Sequence, residues 1–299
     1  MIDKNEVSAW FKLLQDDICD QLSRCDGLAT FKEDLWNRSG GGGGRTRIIR
    51  DGDIFEKGGV NFSEVHGEVT PALQSQLNTE ATAFYATGVS IVIHPNHPLV
   101  PIIHMNVRYF ELNNGIAWFG GGIDLTPHYI DHADAKFFHQ QLKTICDQHK
   151  NHVDYGKLKK WADDYFFIPH RNETRGVGGI FYDYLGKDNT SDLSSIFNFT
   201  KDVGNTFAIT YTALVDKNRS LPRDPAHRDW QMLRRGRYVE FNLVHDRGTR
   251  FGLVSNGRTE SILMSLPNLA SWEYDAVPEE GSREMETLEL LKKGIDWVG

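Results

Sequence analysis

Residues 100–110 read Val-Pro-Ile-Ile-His-Met-Asn-Val-Arg-Tyr-Phe, and their alternation decides the fold class. Successive side chains of an extended strand point to opposite sides. Ile103, Met105, Val107 and Tyr109 therefore share one face, and His104, Asn106 and Arg108 share the other. Asn113-Asn114-Gly115 follows, a strong turn signal, and Ile116–Gly120 returns as the partner strand. One face of this hairpin packs on a core. The opposite face carries a row of polar groups.

Working outward, helical spacing recurs on both sides of the hairpin. Val7, Trp10, Phe11, Leu14, Ile18 and Leu22 repeat every three or four residues, up to Asp26-Gly27. Ala135, Phe138, Leu142 and Ile145 mark a second helix, and Leu158, Trp161 and Tyr165 a third, stopped by Pro169. Val203, Phe207, Tyr211 and Leu214 mark another, and a last one covers about 283–293. Ile180–Leu185 reads as a strand. Arg237–His245 and Arg250–Val254 read as two strands of a hairpin around Asp246-Arg247-Gly248. The five glycines 40–44 have no side chains to hold a fixed element, so they are expected to form a mobile flap near 39–47. These elements predict one α+β domain over 1–299, a single large antiparallel β-sheet with α-helices on both faces.

Composition excludes several classes. The 299 residues are 39 % hydrophobic and 25 % charged, which are globular values. No run of about 18 apolar residues could span a membrane. The first residues lack a basic and apolar leader, so a cytoplasmic protein is expected. Three scattered cysteines, Cys19, Cys25 and Cys146, make no disulfide framework and no metal-binding C-x-x-C. A net charge of −8 argues against a nucleic-acid partner, and Arg234-Arg235-Gly236-Arg237 is too short a patch to reverse that. Ser39–Arg45 is not a phosphate-binding P-loop, because Arg45 stands where lysine is needed and no apolar strand precedes it.

The chemistry-bearing residues are histidines, arginines and one carboxylate. His104, beside Asn106 and Arg108 on the polar strand face, is placed to meet a ligand and exchange protons near neutral pH. Arg108, Arg171, Arg175, Arg234, Arg235, Arg237, Arg247, Arg250 and Arg258 suit bidentate carboxylate recognition. Asp183, ending the run Gly178-Gly179-Ile180-Phe181-Tyr182-Asp183, needs either an arginine partner or a task.

Several stretches resemble aerobic coproporphyrinogen-III oxidases. They are Ser39–Arg47, Gly59–Gly67 (GVNFSEVHG), Ser90–Pro98 (SIVIHPNHP), His104–Phe110 (HMNVRYF), Trp118–Pro127 (WFGGGIDLTP), Tyr165–Asp183 and Arg234–Ser265. The resemblance implies oxidative decarboxylation of the ring A and B propionates of coproporphyrinogen III to vinyl groups, giving protoporphyrinogen IX. Dioxygen is the implied oxidant, with no organic redox cofactor. A divalent metal such as Mn is attributed to some members. A homodimer is implied, with a dimerisation segment at about 238–273. By this resemblance His104 matches the proton donor, and Arg171 and Asp183 match residues of substrate handling. Ser90, Asn106, Val107, Arg108, Asn256, Gly257 and Arg258 match substrate contacts. His94, His104, His139 and His170 match metal ligands. Tyr184 stands where the family motif usually has a second Asp, and Asn256 where Gly is common. A metal-dependent oxygenase built on the four histidines, and a tetrapyrrole-binding protein without turnover, are the competing expectations.

Overall fold

The computed structural model describes residues 2–187, 192–254 and 257–299. Helix α1 (Lys4–Asp26) leads into strands β1 (Lys32–Asn37), β2 (Gly42–Arg50) and β3 (Phe55–Glu68). After α2 (Pro71–Leu77) come β4 (Ala83–Pro95), β5 (Ile102–Leu112) and β6 (Ala117–Thr126). Helices α3 (His132–Gln148) and α4 (Tyr155–Tyr165) follow, then the two-residue strands β7 (Phe167–Ile168) and β8 (Glu173–Thr174), and β9 (Gly178–Leu185). The rest is helical: α5 (Leu193–Asn218), α6 (Pro225–Glu240), a π-turn at Phe241–His245, α7 (Arg247–Val254), α8 (Thr259–Leu263) and α9 (Arg283–Leu290).

Strands β1 to β6 and β9 form one antiparallel sheet in the order β1-β2-β3-β4-β5-β6-β9. The expected hairpin is present in it, next to the edge strand β9: Arg108 pairs with Gly120 and His104 with Asp124 across β5 and β6. The alternation of β5 holds throughout. Ile103, Met105, Val107 and Tyr109 are buried in the main core with Phe11, Leu14 and Ile18 of α1 and Val203, Phe207 and Tyr211 of α5. Helix α3 adds Ala135, Phe138 and Leu142 to the same layer. The other face is covered in part by the chain after residue 225. Tyr238 packs on Val92 and Ile102, and Met264 sits over Gly59. Ser261 meets Thr46 through its hydroxyl and Asn61 through its carbonyl.

Two expectations are corrected. The stretches 237–245 and 250–254 are helical, not a hairpin. The deciding pattern is Trp230, Arg234, Arg235, Tyr238 and Phe241, which recurs at helical spacing and is buried. Its arginines are invisible to a hydrophobic count, yet they are buried because Glu173 pairs with Arg234 and Glu56 with Arg235. The glycines are not a free flap either. Gly42, Gly43 and Gly44 are ladder residues of β2, with Gly43 and Gly44 between β1 and β3. At Gly44 a Cβ would lie 2.2 Å from the Trp36 ring. The absent side chain is what lets that indole close over the strand.

Candidate functional site

The polar face of β5 carries the site. A transverse row of the sheet runs Asp34, Thr46, Asn61, Ser90, Asn106, Gly122 and Phe181, one residue from each strand. The next residues along β5 on this face are His104 on one side and Arg108 on the other. Ser90, His104, Asn106 and Arg108 thus lie on adjoining strands of one surface, as expected.

His104 is held from behind. Its Nδ1–H donates to Asp124 Oδ1 at 2.8 Å, since a carboxylate can only accept. Nε2 then faces outward and has no hydrogen bond among the described residues. Asp124 is buried and accepts twice from Arg175 Nη2, at 2.8 and 2.9 Å. Arg175 Nη1 donates in turn to Asn242 Oδ1 at 2.7 Å. The guanidinium is enclosed by the rings of Phe166, Tyr238 and Phe241, 4.4 to 4.7 Å away. Burial alone would raise the Asp124 carboxyl, but the Arg175 charge and the His104 contact outweigh it and hold it below the ordinary range. The π-turn matters here because it presents Asn242 to Arg175 at the end of α6.

The second feature is the pair Arg108 and Asp183. Arg108 Nη2 lies 2.8 Å from Asp183 Oδ2, and its Nη1 donates to Asn106 Oδ1 at 2.9 Å. The two residues come from β5 and β9, so the contact crosses over β6 between them. Gly120 makes that possible. A Cβ there would lie 2.6 Å from Asp183 Oδ1 and 2.8 Å from Arg108 Nη2. Both partners remain partly exposed, at 34 % and 21 %. Tyr184 follows at φ 56°, the left-handed region that non-glycine residues rarely adopt, and its N–H donates to Asp183 Oδ1. The Asp183 question is answered by an arginine partner, on a surface where a ligand can still reach it.

The other expected residues are dispersed. Val107 points its side chain into the core, so only its backbone could meet a ligand. Arg258 reaches across the face to Asp34 of β1, and Gly257 N–H donates to Gly252 O at 2.8 Å. Asn256 lies outside the described residues. Arg171 forms a bidentate contact with Glu240, and no contact joins it to His104 or Asp183.

The four expected histidine ligands each have partners of their own among the described residues. His94 Nε2 contacts Ser265 O at 2.8 Å, and burial together with the Arg235 charge pushes its pKa down to about 3. His139 sits in α3 with both ring nitrogens engaged, by Tyr155 Oη and Val177 O. His170 lies between Glu240 and His245, at 2.8 and 2.9 Å. Among the described residues no three His, Cys, Asp or Glu side chains converge to hold a metal ion. His94 and His104 lie on the paired strands β4 and β5, whereas His139 and His170 are placed by other elements and bonded to other partners.

Sequence reasoning missed Asp124 and Asn242, and singled out Arg175 only as one of nine arginines suited to a carboxylate. The signal for Asp124 was available. It sits between Ile123 and Leu125 in a strand whose residues are all buried, the same argument that singled out Asp183. Asn242 had no signal, because its role depends on the π-turn.

A sequence model of one protein family, described as Coproporphyrinogen III oxidase, matches residues 6–297. The match spans nearly the whole chain and every described strand and helix except the first two residues of α1. The chain belongs to the coproporphyrinogen III oxidase family.

Proposed function

We propose that this chain is the oxygen-dependent enzyme, acting on the ring A and ring B propionates of coproporphyrinogen III. Membership of the family supports an oxidoreductase of porphyrin and haem biosynthesis with coproporphyrinogen III as substrate. The observation that carries the finer reading is one half-open sheet face bearing both the His104–Asp124–Arg175 chain and the Arg108–Asp183 pair.

Each turnover converts R–CH2–CH2–COOH and O2 into R–CH=CH2, CO2 and H2O2. Two electrons and two protons pass from the side chain to dioxygen, so the equation balances without a further oxidant. The propionate carboxylate competes with Asp183 for Arg108, whose planar fork fits a carboxylate. Asp183, released, accepts a pyrrole N–H or removes its proton, which makes the ring electron-rich enough to reduce dioxygen. His104 supplies protons from Nε2, with Asp124 fixing which ring nitrogen faces the substrate. The reduced oxygen species takes hydrogen from the propionate β-carbon as CO2 leaves. No organic redox cofactor is needed in this scheme. No step is assigned to a metal, since the side chains described do not converge on one.

We also place the protein in the cytoplasm as a homodimer. Among the described residues no helix is long and apolar enough to cross a membrane. Leu243, Val244, Leu253, Leu269 and Trp272, all within 238–273, are exposed apolar side chains that a second copy would cover.

The test is aerobic incubation of metal-stripped protein with coproporphyrinogen III, with and without Mn²⁺, following vinyl product and CO2. Product without metal, and none without oxygen, is the expected result. Product only with Mn²⁺ overturns the metal-free scheme. Porphyrin binding with no CO2 would leave a tetrapyrrole-binding protein.

A further inference from the structure

One end of the same sheet face carries a row of aromatic rings that the reaction scheme does not use. Phe84 of β4 stacks on Phe110 of β5, with centroids 5.6 Å apart and planes at 9°. Phe110 stacks on Trp118 of β6 at 4.6 Å, and Trp118 meets Tyr184 of β9 at 5.3 Å. The row crosses four adjacent strands, a span of roughly 14 Å at three strand spacings. Phe110 lies two residues beyond Arg108 on the same face, so the row adjoins the Arg108–Asp183 pair. Trp118 is buried against Leu73 and Leu77 of α2, while Tyr184 stays 40 % exposed and Phe84 and Phe110 are half-buried.

A cation closes each end. The Arg38 guanidinium lies 6.0 Å from the Phe84 ring. The Lys187 ammonium lies 4.7 Å from the Tyr184 ring and 5.4 Å from the Trp118 ring. Neither is in an ion pair among the described residues. Each makes one long hydrogen bond to a carbonyl, Arg38 to His66 O at 3.2 Å and Lys187 to Leu77 O at 3.5 Å. Arg108, Arg171, Arg175 and Arg258 are all paired with carboxylates. A ligand carboxylate arriving at Arg38 or Lys187 therefore competes with no carboxylate of the described residues, only with a carbonyl oxygen. Arg38 and Phe84 also line a groove of about 530 Å³, together with Gly40, His66, Gly67 and Glu68.

We propose that this aromatic row and its two flanking cations hold the half of the tetrapyrrole that keeps its carboxylates, with one retained propionate at Arg38 and the other at Lys187. The inference rests on the reaction proposed above, in which two of four propionates leave and two stay. The rings of Phe84, Phe110 and Tyr184 supply apolar contact for pyrroles, and a cation stands at each end of the row to meet an anionic arm. The arrangement orients the substrate so that its other half faces Arg108, Asp183 and His104.

The retained carboxylates are common to substrate and product, which gives the test. The double variant Arg38→Gln/Lys187→Gln is expected to raise KM for coproporphyrinogen III by about tenfold. It should weaken binding of both coproporphyrin III and protoporphyrin IX by that same factor, read by tryptophan fluorescence quenching. The effect falls on KM rather than kcat, and Arg38→Lys in the Lys187 background should stay near wild type. Binding of coproporphyrin III tetramethyl ester, which has no carboxylates, should be unaffected by the double variant. Unchanged KM and Kd overturn the proposal, and so does an equal loss for the ester. If the unaltered protein releases no CO2, the reaction scheme fails by itself, and the ester comparison still decides the subsite.

Discussion

The two faces of the seven-stranded sheet are made by the same strands and behave as opposites. On one, Ile103, Met105, Val107 and Tyr109 of β5 are sealed under α1 and α5. On the other, His104 and Arg108 alternate with them residue by residue and keep 21 % and 34 % of their side-chain surface. The sealed face is held by burial of apolar area, which is non-directional and tolerant of small shifts. The half-open face is held by directed pairs, each of which constrains an angle as well as a distance. The first face therefore governs whether the chain folds. The second governs what the folded chain can do.

The sharpest way to break this division is Asp124→Ala. Arg175 would be left buried without its counter-charge, which is expected to cost about 3–5 kcal/mol in urea denaturation. His104 would also lose its anchor, so turnover per folded molecule should fall as well. A stable, active variant would refute the chain from Arg175 to His104. Phe207→Ala, on the sealed face, should cost a comparable ~3–5 kcal/mol by leaving a cavity. Its turnover per folded molecule should match the parent, and a large drop in kcat would erase the distinction between faces.

Gly120→Ala should separate the two properties the other way. The new methyl pushes Arg108 and Asp183 apart. That pair is partly exposed, so stability should change by about 1 kcal/mol or less. Turnover is expected to fall at least tenfold, roughly the effect of misplacing one positioned group.

Acid sensitivity belongs to the buried histidines. His94 and His139 are pushed down to about 3 and about 4, each chiefly by burial. Their folded pKa lies below the unfolded ~6.5, so the unfolded chain binds the extra protons. Their contribution is fully present above pH ~6.5 and is lost as pH falls towards 4. Each such proton tilts stability by about 1.4 kcal/mol per pH unit within that window. His139→Gln should flatten the slope between pH 6.5 and 4, measured by denaturation at stepped pH. An unchanged slope would show that His139 is already protonated in the fold. The smallest expected effect is Arg258→Ala. Its pair with Asp34 is exposed, so stability should move by about 0.5 kcal/mol or less, while KM rises.

Much of this architecture was legible before any coordinates. The strand at 100–110, its turn and its partner are local features, and their periodicity is strong. Helices α1, α3, α4 and α5 announced themselves in the same way. The failures share a cause. Arg234, Arg235 and Tyr238 form a buried helical stripe, but a count of apolar residues discards the arginines, so the stretch read as strands. Gly42–Gly44 read as free chain because nothing local reveals that Trp36 and β3 would close around them.

The candidate site divides along the same line. Alternation alone put His104, Asn106 and Arg108 on one polar face, because strand geometry is a property of neighbouring residues. Composition and the scatter of cysteines ruled out disulfide scaffolds and helical membrane spans. The partners of those residues were decided only by the tertiary structure. Asp124 meets Arg175 fifty-one positions away, and Arg108 meets Asp183 across an intervening strand. His139 and His170 were bonded to other elements by the same packing, while His94 came to lie on the strand beside His104. Contacts of that kind depend on strand order, on a glycine left bare at 120 and on a π-turn at 241–245, and no local pattern encodes them.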